Sequence, residues 1–542
     1  MHSANFKHRI AIVGNPIVPD TRFDDSQMEA LQKLGFNTIQ LNIAWGSRPP
    51  GEPLNIEDIL SLAGDETAEM LARREELKRR ALQCKRFGFR TIFHFGAPHV
   101  KGLYDLLASG FEKDQAVEAC IEKPEVVALY GALAERLAVA CPEIDDILVY
   151  TYDQEAWLCS EFSSCPRCKG KPLHERLPRF LHGLCDAWAK HRPEGMMWWE
   201  PWEISAGQIY AILPNAPRQH FGLMLHSNIA EVQMTRPVDV WFRNTVHMAT
   251  QLGLPVAGEL FLSSANEEVG PLQHVVAPRL IWEQINTLVS VPDISGVKEY
   301  FGTRPDSNDP NLAMAGLVFN DPQIPLPVAL EKLALPFGEA KQHVLAAWQA
   351  AADGLKLFPW DVSWRMRGID RQRVWHGWEA FTIRGHVADS PSWLSTRRSL
   401  FMTTENEELH PWFLEDFALR CDAAADRFEQ AVACYDRALP LLAESPANDV
   451  ALWRDDVITL KQTTRAYALH THETLVAGHL RDALQSQHEL PSQLVEKMRG
   501  LLERDARNQA DAVSQQSPAP SAEQMLSAFN QDPAQWVQKH LL

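Results

Sequence analysis

Long apolar stretches and an excess of basic residues are both missing from this sequence. No segment approaches the roughly 18 uninterrupted apolar residues that a membrane-spanning helix needs. The apolar run at 10–13 is too short for a secretory signal. The 52 Lys and Arg residues are outnumbered by 70 Asp and Glu residues, which gives a net charge of -18. Because nucleic-acid binding depends on Lys and Arg that neutralise phosphates, we expect a soluble, cytoplasmic protein without a nucleic-acid or membrane partner.

Glycine-rich phosphate loops are absent as well. The sequence has neither a Walker-type loop nor a G-x-G-x-x-G fingerprint, so no organic cofactor is expected. The nine cysteines are spread over 542 residues, mostly singly, which is typical of thiols in a reducing compartment and not of a disulfide framework. Tryptophan is abundant by contrast, with 17 residues, and stacking against a ligand is one use of its flat face.

The first part of the chain alternates short apolar runs with longer helical patterns, as βα units around a parallel sheet do. Helices are expected at Ser26–Lys33, with Ser26 as the N-terminal cap, and at Glu69–Phe87. Eight strands within residues 1–320 favour a (β/α)8 TIM barrel over an open doubly wound sheet. The predicted strands are Arg9–Gly14, Asn37–Ile43, Arg90–Phe95, Ile147–Tyr152, Met196–Trp199, Phe221–Leu225, Pro255–Leu260 and Gly296–Tyr300.

A mostly α-helical C-terminal domain is predicted over 321–513, where strand-like runs become scarce. It contains a loop at 358–406 rich in Trp and Arg, which is expected either to cover the barrel mouth or to form an interdomain or homodimer contact. Residues 514–542 are predicted to be a linker and a terminal helix. The predicted helices are Val328–Leu355, Trp412–Leu442, Val450–Leu480, Ser492–Asp511 and Ala522–His540.

The C-terminal ends of the predicted strands are unusually polar, and a barrel of this kind places its reactive groups at those ends. Acidic groups from successive strands would line one pocket at the mouth of the barrel. Repulsion between their charges and loss of contact with water raise the pKa values of some of these carboxyl groups. Hydrolysis of a glycoside takes one carboxylic acid and one carboxylate, and aromatic rings beside them stack on sugar faces. The candidate stacking residues are Trp45, Trp157, Trp198, Trp199 and Trp202.

This layout resembles the (β/α)8 glycoside hydrolases, especially the clan whose acid/base Glu ends strand four and whose nucleophile Glu ends strand seven. The resemblance implies Glu155 and Glu259 as the catalytic pair. The clan has Asn-Glu on strand four where this chain has Gln154-Glu155, a departure that removes the Asn from its usual contact with the sugar 2-hydroxyl.

Two further resemblances leave the stereochemistry open. Asp153 and Glu155 are similar to the Asp and Glu pair of barrel hexosaminidases, although Gln154 separates them here. The combination of a barrel with a helical C-terminal domain is similar to that of the α-glucuronidases, which invert. We therefore expect an exo-acting glycosidase on a small acidic or N-acetylated carbohydrate. The expected substrate-binding residues are Asp153, Asn15, Trp45, His94, Trp157, Glu200, His226, Glu299 and Tyr300.

Two other classes compete with this interpretation. A metal-dependent barrel hydrolase or isomerase would use residues such as His94, Glu200, His226 and Glu259 as ligands. A non-catalytic carbohydrate-binding barrel would keep the aromatic residues and tolerate loss of the two catalytic carboxylates.

A cysteine cluster follows the fourth predicted strand. Cys159, Cys165 and Cys168 have the close spacing of a thiolate metal site, which predicts a structural zinc ion with His174 or Cys185 as the fourth ligand. The alternative is a set of free thiols that brace the loop after Glu155.

Overall fold

The protein is represented by a computed structural model that describes most of the chain. The described residues are 6–13, 23–44, 51–61, 65–99, 120–151, 156, 158–159, 161, 165–201, 204–226, 240–262, 274–299, 308–360, 411–511 and 521–542. Almost all of the predicted loop at 358–406 lies outside them, as does the predicted linker up to residue 520.

Within these residues, eight parallel strands form a closed barrel in the order of the chain, each paired with the next and β8 paired with β1. This confirms the predicted TIM barrel, with bounds that differ from the predicted ones by a few residues. The strands are β1 (His8–Ile12), β2 (Thr38–Gln40), β3 (Arg90–Gly96), β4 (Asp146–Tyr150), β5 (Met197–Glu200), β6 (Phe221–His226), β7 (Val256–Leu260) and β8 (Gly296–Glu299).

One layer of the barrel interior consists of apolar side chains. Parallel strands are covered on both faces, so they carry nearly continuous apolar runs, and here every residue of β4 to β8 is buried. The layer consists of Ile10, Ile92, Leu148, Trp198, Met224 and Ala257, one from each of six strands. Because side chains alternate along a strand, residues two positions further on face the interior again, nearer the C-terminal rim.

Helices follow the strands of the barrel, and the first shows how the sequence sets their ends. Helix α1 (Asp25–Lys33) is capped by Asp24, whose side chain accepts from the Gln27 N–H while the Gln27 side chain accepts from the Asp24 N–H. The expectation that Ser26 is the cap was wrong, since its hydroxyl instead donates to Asp24. The described helices of this part are α1 (Asp25–Lys33), α2 (Ala68–Arg86), α3 (Pro124–Ala140), α4 (Leu173–His191), α5 (Ala206–Ile212), α6 (Val240–Gln251), α7 (Pro278–Val289) and α8 (Pro310–Asn320).

The C-terminal part is mostly helical, as predicted, but two predicted helices are divided. The first breaks around Gly338, which has a positive φ of 50° in a short 3-10 segment. The terminal one ends before Pro533, which begins a new helix. The described helices are α9 (Leu326–Ala334), α10 (Lys341–Leu357), α11 (Pro411–Ala438), α12 (Glu444–Gln487), α13 (Ser492–Ala510), α14 (Ala522–Gln531) and α15 (Pro533–Leu541).

The last two helices pack onto α12 and α13. Met525, Phe529 and Trp536 are buried in one apolar cluster with Val476 and Leu502. The terminal segment is therefore part of the helical core.

Internal contacts divide the chain into two compact units. One takes in the described residues of Met1–Ser263 and Leu280–Ala329, and the other those of Ser264–Arg279, Leu330–Asp389 and Phe401–Leu542. The boundary predicted between 320 and 321 stays a prediction. Among the residues that the structure describes, no helix combines the length and apolar character needed to cross a membrane.

The pairing of β8 with β1 depends on a glycine. A Cβ on Gly296 would lie 2.6 Å from the carbonyl oxygen of His8, its partner across the ladder. We expect Gly296→Ala to force the two strands apart and to lower the free energy of unfolding by about 1–3 kcal/mol, the usual cost of overpacking. Urea unfolding of the purified protein measures the change.

Gly207 provides the matched control for this substitution. It lies in α5, and a Cβ there meets nothing within 4 Å. Because Ala is the better helix former, Gly207→Ala should leave the free energy of unfolding unchanged or raise it by up to about 1 kcal/mol. Equal effects of the two substitutions would contradict the role given to Gly296.

Candidate active site at the carboxyl ends of the strands

A second layer of interior side chains lies directly above the apolar layer, and it is polar. Counting two residues on from the apolar layer on β3 to β7 gives a ring of ionisable or aromatic side chains at the C-terminal strand ends. Its members are His94, Tyr150, Glu200, His226 and Glu259. The strand period of two therefore explains why residues scattered along the chain meet at one rim.

Glu259 is the centre of a chain of close contacts between ionisable side chains. Its Oε1 accepts a hydrogen bond from Lys298 Nζ at 2.7 Å, and its Oε2 lies 3.1 Å from His226 Nε2. His226 Nε2 lies 3.4 Å from Glu200 Oε1, and Glu200 Oε2 lies 3.6 Å from His94 Nε2. Five strands, β3 and β5 to β8, thus each contribute one group to a continuous network.

The network is almost closed to water by the described residues. The side chain of Glu259 is 0% exposed, that of Lys298 2% and that of Glu200 7%. Isolated charges at this depth are strongly disfavoured, so each must be offset by a neighbour. The pairing of Glu259 with Lys298 is the direct instance of that compensation.

Burial and the neighbouring charges separate the pKa values of the two carboxyl groups. Burial first, and then the negative charge of Glu200, raise the pKa of Glu259, although Lys298 and His226 oppose them. Burial also acts to raise the pKa of Glu200, but the hydrogen bond from His226 and the charge of Lys298 outweigh it and lower that pKa to about 2. Such a divergence is typical of paired carboxyl groups at catalytic sites.

His94 is fixed as a neutral ring. Burial, helped by the charge of Lys298, outweighs the attraction of Glu200 and lowers the pKa of His94 to about 4, so the ring is uncharged at neutral pH. Gln40 Nε2 lies 3.4 Å from His94 Nδ1, and the Asn42 side chain bonds both the N–H and the carbonyl oxygen of His94. The end of β2 therefore positions this histidine for contact with Glu200.

The structure brings together four of the residues expected at the site: Glu259, His94, Glu200 and His226. Glu299 is buried elsewhere on the rim, where its Oε2 accepts from the backbone N–H of Ile12 at 3.3 Å. The other expected residues lie outside the described part of the chain, and their roles stay predictions. They are Glu155, Asp153, Asn15, Trp45, Trp157 and Tyr300.

The expectation that Trp198 and Trp199 stack on a sugar was wrong. Both are 0% exposed. Trp198 belongs to the apolar layer beneath the site, and Trp199 donates to the Thr151 hydroxyl and stacks on Phe221. The sequence marked them as strand-end residues but did not show which face of β5 each occupies.

Sequence reasoning also missed Lys298 as a member of the site. Its strand was predicted, but the expectation centred on the neighbouring Glu299. The signal that identifies Lys298 is its register with Glu259 across the β7 and β8 ladder, which places an ammonium beside a carboxylate in the closed barrel.

The predicted cysteine cluster gains an unexpected fourth member. Cys120 lies with Cys159, Cys165 and Cys168, and the four sulfur atoms are all within 4.8 Å of one another. Cys185, an expected fourth partner, directs its sulfur to the carbonyl oxygens of Gln219 and His220. His174, the other expected partner, is likewise not among the four.

One of the four cysteines in the cluster is favoured in its ionised, thiolate form. Hydrogen bonding from Cys159 lowers the pKa of Cys120 to about 5, although burial opposes it. Negative charge on a sulfur is therefore stabilised among these side chains.

Comparison with solved structures gives the same fold. A GH138 enzyme targeting pectin rhamnogalacturonan II is 12% identical and matches 99% of this chain and 84% of its own, with a TM-score of 0.62. An O-GlcNAc hydrolase mutant of Thermobaculum terrenum is 11% identical and matches 99% of this chain and 95% of its own, with a TM-score of 0.46.

At these identities the likeness shows the fold alone. No protein-family model and no curated protein matches the sequence. The resemblance to (β/α)8 glycoside hydrolases is thus confirmed at the level of architecture, and the chemistry must be argued from the site.

Proposed function

We propose that this protein is a glycoside hydrolase. The observation that carries the proposal is the buried carboxyl group of Glu259 at the C-terminal rim of the barrel, which contacts Lys298 at 2.7 Å and His226 at 3.1 Å. Glycoside hydrolysis requires one such carboxylate and a second carboxyl group that protonates the leaving oxygen. The fold shared with a GH138 enzyme is consistent with this chemistry.

Glu259 supplies the carboxylate of the reaction in this proposal. Its negative charge, offset by Lys298, faces the developing positive charge of an oxocarbenium-like transition state. Glu155, which is outside the described residues, supplies the proton to the leaving oxygen. Glu200 stays ionised and holds His226 and His94, whose rings are available to bond sugar hydroxyls.

For the substrate we propose the non-reducing end of a small acidic or N-acetylated carbohydrate. The GH138 enzyme targets pectin rhamnogalacturonan II, and from it we infer only that the substrate of this protein is a glycan. A carboxylate on the sugar would need a cationic partner at the acidic rim, and we propose an arginine from outside the described residues for this role. The candidates are Arg22, Arg48, Arg304 and Arg365.

A panel of aryl glycosides tests the proposal. Wild-type protein is expected to release the aryl group from at least one member of a set containing sialosides, glucuronides and N-acetylhexosaminides, and proton NMR of the released sugar gives the stereochemistry. Glu155→Gln and Glu259→Gln should each lower the rate of release by about 10³-fold. Failure to turn over any substrate across pH 4 to 9 would count against the proposal.

One observation favours a metal-dependent hydrolase or isomerase as the second candidate. Ligand-type atoms of Glu200, His226 and Glu259 lie within 4.8 Å of one another. The ammonium of Lys298 already compensates Glu259 there, which is why we prefer the metal-free reaction. Activity that is lost on treatment with a chelator and restored by a divalent ion would reverse that preference.

The third candidate is a non-catalytic carbohydrate-binding barrel. It predicts that Glu155→Gln and Glu259→Gln leave glycan binding intact and that no bond is cleaved. Isothermal titration with the same sugars, run beside the activity panel, separates this case from a hydrolase.

A further inference from the structure

Four buried thiols from separate parts of the sequence converge beside the barrel. Cys159, Cys165 and Cys168 follow β4, whereas Cys120 precedes α3 and is 39 positions before Cys159. All four are buried, with exposures of 3% or less. Convergence of distant cysteines in the interior needs a cause, because scattered core thiols elsewhere in the chain do not cluster in this way.

The sulfur spacing fits a metal better than a disulfide. Cys120 Sγ lies 3.3 Å from Cys168 Sγ and 3.7 Å from Cys165 Sγ. A disulfide joins its sulfurs at about 2 Å. A tetrahedral zinc ion with Zn–S bonds of about 2.3 Å places its sulfurs about 3.8 Å apart, close to the observed separations.

The local backbone presents two of the thiols together. The N–H groups of Cys168 and Lys169 both donate to the carbonyl oxygen of Cys165, at 3.2 Å and 2.9 Å. This tight turn brings the two side chains of the Cys-x2-Cys pair to one side, the arrangement used by thiolate zinc sites.

A buried cation next to the cluster gives an independent indication of negative charge. Arg176 is 2% exposed, and its Nη1 has no hydrogen-bond partner among the described residues. Its Nε donates to the carbonyl oxygen of Lys171, whose own N–H donates to the carbonyl oxygen of Cys168. A zinc ion with four thiolates carries a net charge of about −2, so it would provide the buried guanidinium with the counter-charge that neutral thiols do not.

We propose that Cys120, Cys159, Cys165 and Cys168 bind one structural zinc ion. With all four positions taken by protein sulfur, the ion has no open coordination site for a substrate, which separates it from the chemistry of the barrel rim. The ion ties the segment before α3 to the segment after β4. Ala156 in that second segment is also bridged to His99, so Ala156 and the three cysteines after it would each be held to another part of the chain.

Metal analysis of the full-length protein tests the proposal. Protein produced in zinc-containing medium is expected to hold one zinc ion per chain by inductively coupled plasma mass spectrometry. Cobalt exchanged into the site should give the intense visible absorption and sulfur-to-metal charge-transfer bands of a tetrahedral thiolate complex. Zinc contents near zero in the wild type, or iron in place of zinc, would overturn the assignment.

Substitutions locate the ligands. Cys120→Ser and Cys165→Ser should lower the bound zinc at least about tenfold after dialysis against a weak chelator, because each removes one of four ligands. Cys141→Ser is the matched control, since Cys141 is a buried lone thiol. Equal zinc contents in Cys120→Ser and Cys141→Ser would contradict the role of Cys120. If the ligand variants do not fold, the cobalt spectrum of the wild type still decides the question.

Discussion

Glu259→Gln is expected to lower kcat/KM for the cleaved aryl glycoside by about 10³-fold, which corresponds to about 4 kcal/mol of transition-state stabilisation. Glutamine has the shape of glutamate and can still accept from Lys298, so the barrel should remain folded. The substitution removes the negative charge that faces the reacting sugar and that lies 2.7 Å from Lys298 Nζ.

The measurement is initial rate against substrate concentration, with circular dichroism to show that the fold is kept. A loss in kcat with little change in KM is expected, because the charge acts mainly in the transition state. Glu473→Gln is the matched control, since it makes the same change at a buried glutamate of the helical unit. A Glu259→Gln variant that retains more than a tenth of wild-type kcat/KM would show that Glu259 has a structural role only.

The fold could be read from the sequence because it depends on repeated local patterns. Apolar runs such as Phe221–His226 recur eight times between helical stretches, and parallel pairing with buried faces leaves few other arrangements. The errors occur where one residue decides the outcome. Pro533 divides a predicted helix, and Asp24 replaces Ser26 as the cap because it can exchange two hydrogen bonds with Gln27.

The site was harder to predict, for a physical reason. A sequence pattern indicates which residues end a strand. The face of the strand that each side chain occupies, and the residue that it meets on a neighbouring strand, depend on the register between strands. Glu259 and His226 were expected at the rim and are there, whereas Trp198 was placed in the mouth and lies in the core. Lys298 and Cys120 were missed because their partners are distant in the sequence.

Lys298→Met is expected to move the acid limb of the kcat/KM profile to higher pH by about one to three pH units, the usual effect of an opposite charge at this distance. The sign follows from the contacts. Lys298 stabilises the ionised form of Glu259, whose pKa burial and Glu200 already raise. Without the ammonium that pKa rises further, so the active carboxylate is lost at a higher pH as the solution is acidified.

The matched variant is Lys298→Arg, which keeps a positive charge beside Glu259 and should keep the acid limb near its wild-type position. Both variants are compared with the wild type from pH 4 to 9 at low substrate concentration, where the profile reports the free enzyme. A merely structural role for Lys298 predicts lower activity at every pH and an unmoved limb. Movement of the alkaline limb alone would assign Glu259 to proton donation. The activity of an enzyme that needs a protonated group falls as the pH rises through the pKa of that group.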